Sequence, residues 1–343
     1  MIVSCQGLEL SEGLLRVSKA ISNKIANPIL EGIKIIAEED TLTMSATDTE
    51  LTIEKKIKAE VRQEGETVVP GRFITEFVKK LTNTQIELEV NDKNQLTIRY
   101  EDSESVIQCY NPVEYPGFKN VESKEYFGIS QKDFKTCVNK SIFAVALDDS
   151  RPILKGVLFD INNNELNVVA LDGYRLARVK KTIKSNMTKS IVVPARSLNE
   201  LSKMIEDSDE IINIYVGEYT IMADLGDTKV TSRLLEGDYI NYKQIIPVNF
   251  ETFVIVNKEQ FEQALERATL LSRASSSNYV KFDIKESNLC ITSNSELGNL
   301  KENIPVSVSG KDLIISFNPR YYLESLRVNT NEFVKLCFNN PST

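Results

Sequence analysis

VVPGRFITEFVKKL at 68–81, VVPARSLNELSKMI at 192–205 and FNPRYYLESLRVNT at 317–330 share one pattern: an apolar entry, a proline, an arginine, then apolar residues at helical spacing. Arg72, Arg196 and Arg320 stand 124 residues apart, and so do Pro70 and Pro194. Working outward, Pro28-Ile29-Leu30-Glu31-Gly32 returns at the same offset as Pro152-Ile153-Leu154-Lys155-Gly156, and Tyr115 returns as Tyr239. LTMSATDTELTIEKKI from 42 returns as LNVVALDGYRLARVKK from 166 and, more loosely, as LCITSNSELGNLKENI from 289. Agreement of four landmarks on one period means three tandem copies of one domain, expected at 1–122, 123–247 and 248–343. The third is expected to be incomplete: 53 residues separate Pro194 from Pro247, whereas 24 follow Pro319.

Each copy reads as α+β. An opening helix is expected from Leu14, Ser18, Ile21 and Ile25, from Phe134, Val138, Ile142 and Val145, and from Phe261, Leu265, Ala268 and Leu271. Alternation at Ile86, Leu88 and Val90, a polar turn over 91–94, and Leu96, Ile98 and Tyr100 make a hairpin; Ile212, Ile214 and Val216 turning through Gly217-Glu218 make another. The proline-led segments are second helices, with proline near the first turn where a missing N–H costs nothing. The expected unit is an antiparallel sheet covered on one face by two helices.

Composition removes whole classes of function. The 343 residues include no histidine, the commonest general base and metal ligand, so Ser/His and Cys/His nucleophile designs are excluded. The five cysteines are far apart with no C-x-x-C pair, and read as reduced buried thiols. No G-x-x-x-x-G-K-[ST] segment is present for nucleotide phosphates. No stretch approaches the roughly 20 apolar residues of a membrane helix, and the N-terminus lacks a targeting pattern, which points to the cytoplasm.

The formal charge of −8 hides an asymmetry. The six segments 11–24, 71–81, 131–140, 195–206, 258–273 and 318–328 hold 16 basic and 9 acidic residues, leaving the remainder at −15. Residues seven apart share a helix face, and Arg72/Lys79, Arg196/Lys203 and Arg320/Arg327 repeat that pair in every copy; Arg16, Lys140 and Arg267 take equivalent places on the opening helices. Exposed cations on one helix usually serve solubility. Six helices in one register point instead to an anionic polymer met by every copy. Six helices about 10 Å wide close a hole of about 9 Å; twelve leave about 28 Å, enough for duplex DNA, so two chains are needed. A contact from first copy to third closes after two chains, head to tail.

Along nearly its whole length the chain resembles the bacterial DNA polymerase III β subunits. The resemblance rests on NPILEGIKI at 27–35, VVPGRF at 68–73, SRPILKGVLFD at 150–160, LDGYRLA at 171–177, IVVPARSLNEL at 191–201 and EGDYINYKQIIP at 236–247. It implies a two-chain sliding clamp around duplex DNA, a processivity factor without catalysis, cofactor or metal, loaded by an ATP-driven clamp loader. It would tether replicative and repair polymerases through their clamp-binding peptides.

The resemblance further implies DNA contacts at Lys24, Arg72, Lys79, Arg151, Arg196, Lys203, Arg320 and Arg327. It implies a peptide pocket at Leu154, Leu171, Gly173, Tyr174, Arg175, Leu176, Ile240, Gln244 and Ile245, and a ring interface of Leu270 and Leu271 on the strand near Val106 and Ile107. Ile240 stands where the family usually has proline and Gln244 where it has arginine; members usually end in a short apolar tail lining the pocket. Two other readings stay open. Asp48 and Asp172, in equivalent places beside Asp148 and Asp149, could serve acid–base or Mg²⁺ chemistry. An adaptor of clamp ancestry could bind proteins without encircling DNA.

Overall fold

The computed structural model describes residues 1–21, 27–117, 124–274 and 278–340. The chain divides into two compact units, Met1–Asp172 with Arg178–Asp238, and Gly173–Ala177 with Tyr239–Thr343. Each is described by itself.

The first unit holds two copies. The first copy runs β1 (Ile2–Gln6), α1 (Gly7–Val17), β2 (Gly32–Glu38), β3 (Thr41–Thr47), β4 (Leu51–Lys58), β5 (Glu60–Gln63), β6 (Gly65–Pro70), α2 (Gly71–Val78), β7 (Gln85–Val90), β8 (Gln95–Tyr100) and β9 (Ser103–Gln108). The second repeats that order without the fifth strand: β10 (Tyr126–Ser130), α3 (Gln131–Asn139), β11 (Gly156–Asn162), β12 (Glu165–Leu171), β13 (Leu176–Thr182), β14 (Thr188–Pro194), α4 (Ala195–Met204), β15 (Ile211–Val216), β16 (Thr220–Asp224) and β17 (Thr228–Arg233). After the short α5 (Tyr242–Ile245), the second unit supplies β18 (Thr252–Asn257), α6 (Lys258–Ser272), β19 (Val280–Lys285), β20 (Asn288–Ser295), β21 (Gly298–Pro305), β22 (Ser307–Gly310), β23 (Leu313–Phe317), α7 (Pro319–Arg327) and β24 (Phe333–Phe338).

All paired strands described are antiparallel, but each copy distributes them over two sheets rather than one. The orders are β5-β1-β7-β8-β9 and β13-β12-β11-β14 in the first unit, and β22-β18-β24 and β21-β20-β19-β23 in the second. The remaining sheet has eight strands, β10-β15-β16-β17-β4-β3-β2-β6, and so crosses from the second copy into the first. Its crossing pair runs from Thr228↔Lys55 through Val230↔Ile53 to Ser232↔Leu51. Val230 and Ile53 are buried there, since alternation sends every second residue inward.

The repeated Pro-Ile-Leu-x-Gly segment has a steric reason. A Cβ on Gly32 would collide with Val68 Cγ1, and one on Gly156 with Val192 Cγ1, the same valine one period on. The short 3-10 turns Pro28–Glu31 and Pro152–Lys155 therefore lie close against the strand entering the second helix. Tyr115 closes the first copy: its hydroxyl donates to the Gly32 carbonyl at 3.1 Å and accepts from the Thr47 N–H at 3.3 Å. Burial pushes that phenol up to about 12.

The expected helices need correction at four described positions, Ser18, Ile21, Ile142 and Val145, Ser18 being the residue that caps α1. Ile21 lies beyond α1 in extended backbone, and Ile142 and Val145 lie beyond α3; Ile25 is outside the described residues. Hydroxyls compete with the helical pattern at both ends, Ser18 donating to Leu15 O at 2.9 Å and Ser141 to Cys137 O at 2.7 Å. Pro70 and Pro194 occupy the cap position before α2 and α4, whereas Pro319 is inside the first turn of α7 behind an Asn318 cap. All five cysteines are free, and burial pushes the Cys5 and Cys137 thiols up to about 12.

Candidate nucleic-acid and partner interfaces

Each copy packs its two helices side by side: α1 on α2, α3 on α4, α6 on α7. All six carry a cation at the carboxyl end, Arg16, Lys203 and Arg327 in the last turn and Lys79, Lys140 and Arg273 at the cap. Positive charge there meets the negative end of the helix dipole, so the placement has a local reason as well. Within the observed bounds these six helices hold ten basic and nine acidic residues. The larger excess expected from sequence lies past the helix ends, at Lys19, Lys79, Lys80, Lys140 and Arg273, with Lys24 outside the described residues.

Arg72, Arg196 and Arg320 open the second helices, and all three are exposed. Arg196 is paired with Asp48, whose side chain is only 7% exposed. That carboxylate also accepts from the backbone N–H groups of Glu50 at 3.1 Å and Leu51 at 2.8 Å. Arg196 thus joins α4 of the second copy to the β3–β4 turn of the first, a role the sequence did not reveal, and Asp48 is committed to its own turn.

Arg320 Nε donates to Glu324 at 2.7 Å, Arg327 lies 3.5 Å from Glu266, and Lys203 lies 2.8 Å from Glu200. Pairs as exposed as these contribute about 0–1 kcal/mol and exchange readily for phosphate. Lys79 and Arg151 are exposed and make no ion pair among the described residues. Of the other carboxylates, Asp148 accepts from the Ser150 N–H at 2.9 Å and Asp149 pairs with Lys155. Among the described residues no group of three or more acidic or cysteine side chains is placed to hold a metal.

The expected pocket residues are distributed over both units. Leu154 and Leu171 are buried in the first. In the second, Gly173 has φ +93, Tyr174 is 83% exposed, and Ile245 is 51% exposed on α5 beside exposed Gln244. Leu176 and Ile240 are half-buried. Tyr174 stacks on Tyr321 of α7 with ring centroids 6.4 Å apart, and the Arg175 guanidinium lies 4.8 Å from the centre of that ring. Arg175 also pairs with Glu324. Burial pushes the Glu324 carboxyl up, yet hydrogen bonds from Arg320 and Arg175 outweigh it and hold it below the usual carboxylate range. Arg175 is therefore an anchor of its own segment on α7.

Of the expected interface residues, Val106 is 58% and Leu270 69% exposed, with Ile107 and Leu271 half-buried. β9 is an edge of its sheet and β21 an edge of another. Phe73, 54% exposed and stacked on Phe77 at 5.8 Å, was missed in sequence. One period on stands Ser197, buried in the closed junction and bonded to Ser232 at 2.7 Å. That offset was the available signal.

No helix among the described residues is long and apolar enough to cross a membrane. Family models match three stretches: DNA polymerase III beta subunit N-terminal domain on 1–119, central domain on 128–241 and C-terminal domain on 243–343. A Bacillus subtilis (strain 168) protein named beta sliding clamp is 34% identical over 342 residues, 96% of this chain and 90% of its own length. The crystal structure of the DNA polymerase sliding clamp from Bacillus subtilis superposes with a TM-score of 0.96 at 32% identity, covering 99% of this chain and 93% of that one. A putative DNA polymerase III beta subunit from Eubacterium rectale does so with a TM-score of 0.95 at 31% identity, covering 99% and 94%.

Proposed function

We propose, from the premise that this chain belongs to the DNA polymerase III beta subunit family and is a DNA sliding clamp, that two copies close head to tail around duplex DNA. The observation that carries this reading is the eight-stranded sheet in which β17 of the second copy adds to β4 of the first. A contact joining equal units by unlike edges can be repeated: β9 is the first copy's counterpart of β17, and β13 and β21 are the open counterparts of β4, of which β21 is assigned to the contact between chains. Val106, Ile107, Leu270 and Leu271 are the apolar residues we assign to that contact.

The copies are taken as 1–122, 123–247 and 248–343. Arg72, Lys79, Arg151, Arg196, Lys203, Arg320 and Arg327, with Lys24, are assigned to the DNA backbone. Contacts to phosphate without base readout let a ring slide. Tyr174, Leu176, Ile240, Gln244 and Ile245, with Leu154, Leu171, Gly173 and Arg175, are assigned to the clamp-binding peptides of polymerases, repair proteins and the loader. Chemistry belongs to those partners, and the clamp works in the cytoplasm without catalysis of its own.

Retention tests the reading. Loaded onto circular duplex DNA by a clamp loader with ATP, the protein stays bound through a salt wash and leaves when the circle is cut. Release at the same rate from intact circles overturns encirclement. The triple variant R72E/R196E/R320E loses retention or loading; retention equal to wild type overturns the assignment of the basic residues.

A further inference from the structure

The strand that opens each copy has an outer edge, and the three copies cover it unequally. β5 lies along β1 in the first, with Ile2 opposite Gln63 and Ser4 opposite Glu60. β22 lies along β18 in the third, with Phe253 opposite Ser309 and Ile255 opposite Ser307. In the second copy the segment 183–187, between β13 and β14, meets β10 at one bridge among the described residues. That bridge joins Gly128 to Lys184 through N–H to C=O bonds of 2.9 and 3.1 Å. Both residues stand 124 positions after Ser4 and Glu60, so it is the same bridge one period on. Beyond it the segment turns away: the Ser185 N–H donates to Asn164 Oδ1 at 3.2 Å, and the Met187 carbonyl accepts from the Asn163 N–H at 2.9 Å. A cleft of about 580 Å³ opens where the other two copies have a strand pair.

Ladder alternation fixes which backbone groups of β10 face this cleft. Odd-numbered residues bond to β15 and its ends, as in Val216 N–H to Glu125 O and Gln131 N–H to Glu210 O, both at 2.9 Å. Even-numbered residues face the other way, as Gly128 does. Tyr126 therefore turns its N–H and C=O toward the cleft, and among the described residues it makes no backbone bond on that side.

We propose that this cleft takes an extended acidic segment of another protein, which lies beside Tyr126 as the missing edge strand. The site belongs to the first unit and does not depend on the ring.

A strand is the complement because the other two copies place one there from their own chain. Its charge follows from what differs between copies. Around the edge of β1 stand Glu60, Glu87 and Glu89, and arginines occupy that face, Arg62 pairing with Glu87 at 2.8 Å and Arg99 with Glu89 at 2.6 Å. The equivalent positions around β10 are Lys184, Asn213 and Tyr215. Lys124 and Lys184 are exposed and make no ion pair among the described residues, while Glu125 is held by Lys189 at 3.3 Å. A chain of net charge −8 thus presents a cationic cleft here, which attracts carboxylates and repels a basic segment.

Apolar contact is available beside the lysines. Tyr126 and Ile211 are exposed, and Tyr126 packs on Tyr215 with ring centroids 5.5 Å apart. Gly128 leaves the floor low, since a Cβ there would come within 3.2 Å of Ile211 Cγ2. Backbone bonds to an added strand supply affinity, and its alternate side chains supply selection.

A fluorescein-labelled peptide alternating glutamate with valine is the probe, and the same peptide with lysine for glutamate is its control. The acidic peptide binds the full chain, slows hydrogen exchange at the Tyr126 amide, and binds at least tenfold more tightly than the control. K124E/K184E lowers its affinity about tenfold with an unchanged melting temperature, because both lysines are exposed. G128V, which raises the floor without altering charge, weakens binding as well. Y174A, at the surface assigned to clamp-binding peptides, leaves it unchanged. Equal affinity of K124E/K184E, loss of binding in Y174A, or protection confined to residues away from Tyr126 overturns the site. So does an acidic peptide that fails to bind at millimolar concentration. An oligothymidylate that binds in its place, and is lost in K124E/K184E, overturns the proposal by assigning the cleft to nucleic acid.

Discussion

The seam between β17 and β4 is closed, and the edges at β9 and β21 are built alike but open in the single chain. The closed seam buries Val230 and Ile53, joins Ser197 to Ser232, and ties Lys55 to Asp227. Around the open edges Val106, Leu270 and Phe73 are exposed. Equal strand geometry thus carries different side chains according to whether the partner strand comes in the same chain or has to be found. A seam within one chain needs little apolar area because its partner is tethered, whereas one between chains must offset lost translational freedom with burial.

The largest effect comes from breaking the closed seam. Val230→Asp places a charge at a position only 3% exposed and costs the first unit about 3–5 kcal/mol, read as a lower denaturant midpoint. An unchanged midpoint means that this seam carries no stability. Next is Leu270→Asp, at a residue 69% exposed in the single chain. Its melting temperature stays at the wild-type value while dimer dissociation rises about 30-fold or more, by the cost of burying a charge between copies. Unaltered mass by sedimentation removes Leu270 from the contact.

Tyr115→Phe is milder. It removes the hydroxyl that braces the strand end beside the closed seam, at Thr47, for about 1–2 kcal/mol in the first unit alone. Hydrogen exchange at the Thr47 amide reports the change. The smallest effect is in acid. The hydrogen bond from Arg267 holds the Glu302 carboxyl below the usual range. Its contribution is complete above the ordinary carboxylate pKa of about 4.3 and is lost as pH falls through the depressed value. With Arg267 half exposed, that contribution is under about 1 kcal/mol. E302Q flattens the decline of second-unit stability below about pH 4.3; a decline identical to wild type assigns it to other carboxylates.

Local patterns were read correctly where a short stretch decides its own conformation. The hairpin strand Ile212 to Val216 and the helices after Pro70, Pro194 and Asn318 follow from alternation and spacing, although that hairpin's turn falls at Glu218-Tyr219, one residue past the expected Gly217-Glu218, with Gly217 N–H bonded to Thr220 O at 2.8 Å. The ends of α1 and α3 were misjudged because Ser18 and Ser141 can satisfy either a helix or its termination, and their neighbours decide which. Among the site residues, Arg196 read as a free cation because its partner Asp48 lies 148 positions away. The bond of Arg175 to Glu324 was hidden for the same reason, its partner lying 149 positions off.

The sequence by itself determined that there are three copies of one domain with a period of 124, and with it the equivalences among Arg72, Arg196 and Arg320. A repeat is a property of the chain, visible without knowing where anything lies in space. Only the tertiary structure decided that each copy splits its strands between two sheets, that one sheet runs from copy to copy, and that β9 and β21 are left as edges. Strand partners are chosen by burial and hydrogen bonding across long sequence separations, and a periodic pattern states which face of a strand is apolar without naming the strand beside it.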